Sequence, residues 1–186
     1  NGLVRKLETN YLKQTFTSTI SNVIKNTRII FPKIMTFCAQ NNIELNGKPF
    51  VIYHTYDLEQ DLTKISFCVP IKQPIFTSEG SDILSGKLES FVAVKTTLTG
   101  DYSHTKKALD KTLKYIAEKH ITPDPKFSHL EIYTIGKNEI KNASKWVTEI
   151  YYPEKPKAAT PKPVVNTTKE TTVASPKIEQ EIPSEF

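Results

Sequence analysis

The chain is poor in the residues that build several common kinds of site. Only two of its 186 residues are cysteine, Cys38 and Cys68. Neither stands in a Cys-x-x-Cys or other metal-spaced pair, so both read as small buried apolar side chains in a reducing compartment. The four histidines share no ligand spacing, which removes a zinc centre. Six glycines leave no phosphate-cradling loop, and no serine sits in a nucleophile elbow. No apolar run reaches the length of a membrane span. The net charge is +5, yet Lys and Arg never run beyond two in a row, which does not make a nucleic-acid surface. The expectations are no metal, no cofactor, no membrane and no direct nucleic-acid contact.

What the chain does contain is an internal repeat, at a shift of about 80 residues. Phe37 to Ile43 reappears as Tyr115 to Ile121, Ile52-Tyr53 as Ile132-Tyr133, and Phe67-Cys68-Val69-Pro70 as Ile150-Tyr151-Tyr152-Pro153. Each copy reads strand, helix, strand, strand. In the first, Tyr11 to Thr17 alternates like a strand and the apolar positions from Ile20 to Cys38 follow helical spacing. Pro32 interrupts that spacing, giving either a short turn before a main helix or one kinked helix. Strands at Phe50 to Tyr56 and Lys64 to Ile71 follow. In the second, a strand over Leu88 to Leu98 leads to a cleaner helix opened by Ser103 as N-cap, then to strands at His129 to Ile135 and Trp146 to Tyr152. Two such units make an α+β domain with pseudo-two-fold symmetry, its antiparallel sheet backed by two helices and its seam a central cleft.

The expected boundaries are residues 1–10 as a possible upstream linker, 11–71 as copy one and 87–153 as copy two, with 73–86 connecting them. Leu3, Val4 and Leu7 are compatible with the end of an upstream helix. From Pro153 onward six prolines fall among Thr, Lys and Glu. Such a stretch lacks the apolar surface to offset its ordering entropy, so 154–186 is expected to be a disordered tail.

The two copies differ where it matters for binding. Val51 and Ser66 of the first are matched by Glu131 and Glu149 of the second. Strand alternation puts Glu131 with His129 and Tyr133, and Glu149 with Val147 and Tyr151. If these faces line the cleft, it holds two carboxylates among Tyr53, Tyr133 and Tyr151, with Trp146 beside it. Aromatic walls around an acid suit a flat or lipophilic cation, whose charge compensates a costly buried carboxylate. The competing expectation is that either glutamate simply faces solvent.

Several segments, in order, resemble the GyrI-like family, which includes the effector-binding domains of AraC-type and MerR-type regulators. They are Phe50 to Asp57, Phe67 to Ile71, Gly100-Asp101-Tyr102-Ser103 with Ala108, Glu131-Ile132-Tyr133, and Trp146 to Pro153. The resemblance covers about residues 11–153. It implies a tandem strand–helix–strand–strand fold and a central cleft for hydrophobic, often cationic, small molecules, as in multidrug-sensing bacterial members. It also implies a cytoplasmic setting and ligand contacts by Glu131, Glu149 and Tyr151, with Tyr133, Tyr53 and Trp146 as walls. There is no helix-turn-helix, so contact with DNA would come only through a domain outside this sequence. Some relatives resemble small hydrolases of strained-ring electrophiles that use a Glu and a neighbouring Trp, which the pair Trp146 and Glu149 would supply. A third expectation is an interaction module with a closed cleft.

Overall fold

A computed structural model describes residues 1–157; the tail expected over 154–186 lies almost wholly outside them. Eight strands form one antiparallel sheet curled into a half-barrel: β1 (Gly2–Lys6), β2 (Thr9–Ser18), β3 (Phe50–Tyr53), β4 (Thr63–Ile71), β5 (Leu84–Leu88), β6 (Phe91–Thr99), β7 (His129–Ile135) and β8 (Val147–Pro153). The spatial order is β1-β6-β8-β7-β3-β4-β2-β5, so the two copies meet at β3 and β7 in the middle of the sheet. Helix α1 (Val23–Gln40) follows β2, and α2 (Thr105–Glu118) follows β6. The tandem α+β repeat expected from the sequence is the observed architecture.

Side-chain parity fixes what each face of the sheet does. One cross-strand row runs Gln14, Phe67, Val51, Glu131, Ile150, Thr96. This face carries both helices. Ile30, Phe31 and Ile34 of α1 pack on Leu12, Val51, Phe67 and Val69. Ala108, Leu109 and Ile116 of α2 pack on Val94, Ile150 and Tyr152. The adjacent row, Lys13, Cys68, Phe50, Ile132, Glu149, Thr97, points the other way. There Phe50, Ile52, Leu130 and Tyr151 form a second apolar cluster with Tyr11 and Phe127. Burying each of these large side chains contributes about 1.5–3 kcal/mol against leaving it in water, so both faces hold the sheet together.

Three local expectations are corrected, and the choice left open at Pro32 is decided. Residues 2–6 are an edge strand against β6, not a helix end or a linker; Val4 tucks toward the Phe50 cluster while Leu3 stays exposed, a period of two. The connector 73–86 ends in β5, which takes Leu88 and pairs with β2 before the chain turns into β6. Pro32 lies inside one continuous α1, with a single turn of 3-10 helix at Ile20–Asn22 before it. Asp101, not Ser103, is the cap here, and it caps the 3-10 turn Tyr102–His104 that leads into α2: its carboxylate accepts the Ser103 N–H at 2.8 Å. Cys38 and Cys68 are free and buried, as their flanking residues suggest.

Candidate functional site

A cavity of about 530 Å³ opens at the seam of the two copies. Its walls come from the N-terminal ends of both helices, from Tyr53 at the end of β3 and Tyr56 beyond it, and from Tyr102 and Trp146, with the buried Glu131 also lining it. The sequence produces this arrangement in steps. Two antiparallel β-strands whose residues 51 and 131 pair directly put both side chains on the helix-bearing face. The helices start on either side of that pair, leaving a gap above it. Where copy one fills the position with Val51, copy two has a carboxylate.

Glu131 is 2% exposed. Its Oε2 accepts hydrogen bonds from the hydroxyls of Tyr133 at 3.2 Å and Tyr53 at 3.4 Å. Its Oε1 has no hydrogen-bond partner among the described residues. Burial, reinforced by the Glu131 charge, pushes the Tyr53 and Tyr133 hydroxyls well above the ordinary tyrosine range. Both therefore remain protonated donors at neutral pH. Burial and the same carboxylate raise Tyr56 to about 12. A buried carboxylate oxygen left without a donor is costly, and an incoming positive group would satisfy it.

Aromatic faces enclose the approach. Tyr102 lies against Trp146 with ring centroids 4.8 Å apart and meets Tyr133 edge-on at 5.7 Å. Trp146 is buried and its indole N–H donates to the Ile140 carbonyl at 2.7 Å, which fixes the ring. On the other side Tyr53, His129 and Tyr152 stack in a row, with centroids 4.3 and 5.0 Å apart, and Tyr56 abuts Tyr53 and His129 edge-on.

Two helix N-termini facing one cavity would ordinarily favour an anion. Here a carboxylate already stands at the 3-10 turn that leads into each, although neither α-helix has a side-chain cap of its own. Asp61 accepts the Ser21 N–H at 3.1 Å and its hydroxyl at 2.7 Å, and Asp101 holds the Ser103 N–H. The exposed Arg28 and Lys106 and the partly exposed Asp61 and Asp101 balance in sign among the lining side chains, so the charge left over is Glu131, whose Oε1 lies 3.5 Å from His129 Nε2.

Of the six residues singled out in the sequence, Glu131, Tyr53 and Trp146 line this cavity, and Tyr133 hydrogen-bonds its carboxylate from the same face. Glu149 and Tyr151 are not there, which corrects the expectation that both acids share one cleft. Because Glu131 pairs with Ile150, odd-numbered residues of β8 point to the opposite face. There Glu149 Oε1 pairs with Lys95 at 2.6 Å and its Oε2 accepts from Tyr151 at 2.7 Å. The same parity brings Trp146 to the cavity. Tyr56, Tyr102, Asp61, Asp101 and His129 were not singled out. The Gly100-Asp101-Tyr102-Ser103 segment carried the signal for two of them, but it reads first as a turn.

No family model matches the chain, and no curated protein does. Solved structures match in fold. The C-terminal domain of EcmrR superposes with a TM-score of 0.72 at 18% identity, covering 83% of this chain and 96% of that one. EcmrR in its DNA complex gives 0.71 at 19% identity, and there this chain spans only 56% of the partner's length against 83% of its own. A hydrolase encoded by lin2189 from Listeria innocua gives 0.55 at 13% identity, covering 83% and 91%. SAV2435 bound to tetraphenylphosphonium gives 0.52 at 13% identity, covering 83% and 93%. At these identities the likeness is one of fold alone: an α+β half-barrel shared with the C-terminal domain of EcmrR.

Proposed function

We propose that this domain is a receptor for a lipophilic organic cation, held in the seam cavity with its charge beside Glu131. The observation that carries the reading is the free Oε1 of a carboxylate that is 2% exposed, set among Tyr53, Tyr56, Tyr102 and Trp146. Ring faces and an ionised acid both attract positive charge, and about 530 Å³ is a volume suited to a drug-sized molecule. A protein of this fold carrying tetraphenylphosphonium supports the same chemistry. In a longer regulator such a module would pass its occupancy to a separate DNA-binding part; EcmrR, whose C-terminal domain shares the fold, is seen on DNA. The ligand's identity and breadth, and any multidrug or AraC-type role, belong to this proposal.

The test is a titration with tetraphenylphosphonium and, as a control of matching shape and opposite charge, tetraphenylborate. The cation should bind and the anion should not, and E131Q should weaken the cation at least tenfold. Equal affinity for both ions, or an E131Q domain that binds like wild type, would overturn the reading.

A second reading rests on the same free oxygen. Glu131 lines one cavity with Trp146, so its carboxylate would serve as the base that activates a water against a small electrophile, and a hydrolase shares the fold. The Glu/Trp pair of that reading is then Glu131 with Trp146, since Glu149 is on the other face. Turnover of strained-ring electrophiles that E131Q abolishes would favour it over binding alone.

A further inference from the structure

His129 is the residue next to Glu131 on the same face whose chemistry the binding reading leaves unused. It is 0% exposed. Its Nε2 lies 3.5 Å from Glu131 Oε1, and neither atom has a hydrogen bond among the described residues. The ring is held flat between the faces of Tyr53 and Tyr152. Its Nδ1 contacts the Ser128 hydroxyl at 2.9 Å. Ser128 in turn lines a second cavity of about 260 Å³, which shares Tyr56, Leu58 and Lys106 with the first. The imidazole therefore bridges two spaces: Nε2 is aimed at the carboxylate of one, and Nδ1 reaches the other through a hydroxyl.

We infer that His129 is the resident counter-ion of Glu131, and that a cation entering the seam cavity takes its place and expels its proton through Ser128. This deepens the receptor reading and rests on it. In the empty site an imidazolium beside the carboxylate leaves the buried pair neutral. Two stacked tyrosine faces favour the positive ring. When an organic cation reaches Oε1, carboxylate plus ligand is already neutral, and a retained imidazolium would be an uncompensated buried charge. The balanced change is one N–H bond broken at the ring, one proton delivered to solvent and one cation taken up. His129 thereby sets specificity. A neutral ligand has no charge with which to displace the proton, so the internal pair competes only against cations strong enough to replace it.

The other charged and titratable groups around the pair do not supply this exchange. Tyr53 and Tyr133 donate to Oε2, and Tyr56, Tyr102 and Tyr152 are all raised above the ordinary range, by burial first. Arg28 from α1, Lys106 and Asp110 from α2, Asp61 after β3 and Asp101 before α2 lie outside it, with Arg28, Lys106 and Asp110 exposed and both aspartates partly so.

Calorimetric titration with tetraphenylphosphonium at pH 6, in buffers of different ionisation enthalpy, reads the proton count directly. The wild type should release close to one proton per cation bound. Its affinity should fall, by up to about tenfold per pH unit, as the pH is lowered from 8 to 5.5, because binding that releases a proton is weakened by acid. H129Q should bind with no buffer dependence and a flat profile from pH 5.5 to 8. If H129Q does not fold, ring ¹⁵N shifts of His129 in the wild type decide, and should change from the protonated to the neutral pattern on saturation. Proton release that persists in H129Q, binding without release in the wild type, or unchanged ring shifts would each overturn the inference while leaving the receptor intact. Absence of any cation binding would remove both together.

Discussion

Val51 and Glu131 are direct partners across the β3–β7 pair, at the point where the two copies of the repeat meet. Under the internal repeat each is the other's equivalent, so this pair stands on the pseudo-two-fold axis itself. A symmetric domain would place two identical side chains there. Here one is a fully buried valine and the other a nearly buried acid. A single substitution between equivalent positions thus puts one charge at the centre of an otherwise apolar seam, without a second acid opposite to repel it.

E131Q keeps the shape and the acceptor that Tyr53 and Tyr133 need while removing the charge. It should fold with a melting temperature within a few degrees of the wild type at neutral pH, since the amide oxygen still accepts from both tyrosine hydroxyls. Affinity for a lipophilic cation should drop by about 10–100-fold, the scale of a desolvated charge contact. Thermal scans and cation titrations on the same preparation check both halves. A variant that loses stability and binding together would mark Glu131 as structural.

V51E restores the symmetry in the opposite sense. It places a second carboxylate at a 0% exposed position directly opposite Glu131. Two buried acids at a cross-strand pair cannot both ionise without a partner, so one stays protonated or the domain unfolds. The expected cost is several kcal/mol at pH 7, shrinking as the pH falls and the pair shares a proton. Denaturant midpoints at pH 5 and pH 8 test the sign: the variant should be closer to wild type at the lower pH.

The sequence was informative wherever two copies of one pattern reinforce each other. The strand–helix–strand–strand order, the cleft at the seam, and Glu131 with Tyr53 on one face followed from repeat alignment and the period of two. Parity within a strand is legible, but parity between strands depends on pairing register, which no local pattern states. Strand alternation alone therefore groups Glu149 with Glu131, whereas the pairing of Glu131 with Ile150 sends Glu149 to the other face. Edge strands β1 and β5 leave little trace in the sequence for a related reason: five residues with partial exposure have little alternation to read. Tyr56 and Tyr102 come from loops, whose course is set by packing rather than by period.

Trp146 is the chain's one tryptophan and it lines the cavity. Its emission is therefore a clean report on occupancy. Binding of an organic cation against the Tyr102–Trp146 pair should quench or shift it, and E131Q should move the titration to higher concentration without changing its amplitude at saturation. W146F keeps a ring but loses the N–H donated to the Ile140 carbonyl; it should cost about 1–2 kcal/mol in unfolding free energy.

Gly86 faces the Tyr11 ring so closely that an added Cβ would stand 2.6 Å from it. Tyr11 is itself pinned edge-on against Phe50 at 5.5 Å, so it has little room to yield. G86A should destabilise by about 1–3 kcal/mol, the usual cost of overpacking. The double variant with Tyr11→Ala should be less than additive, because the clash is gone once the ring is removed. Ligand affinity should not change in G86A, since this contact lies on the face of the sheet away from Glu131.

Glu149 offers a test of the separation of the two acids. Burial alone would raise its carboxyl, but hydrogen bonds from Lys95 and Tyr151 and the Lys95 charge outweigh that and hold it below the ordinary glutamate range. A depressed folded-state value means the stabilisation is fully present above the unfolded-state value, near 4.5, and is lost as the pH falls through the lower folded one. E149Q should therefore be less stable than wild type from pH 5 to 7, by about 1–2 kcal/mol for a partly exposed charge-assisted pair, and the gap should close below pH 4. Cation affinity should stay within about twofold of wild type, because the sheet lies between this side chain and the cavity. If E149Q instead abolished binding and left the acid stability profile untouched, the division of labour between the two faces would be wrong, and the ligand would have to be sought beside Lys95 and Tyr151.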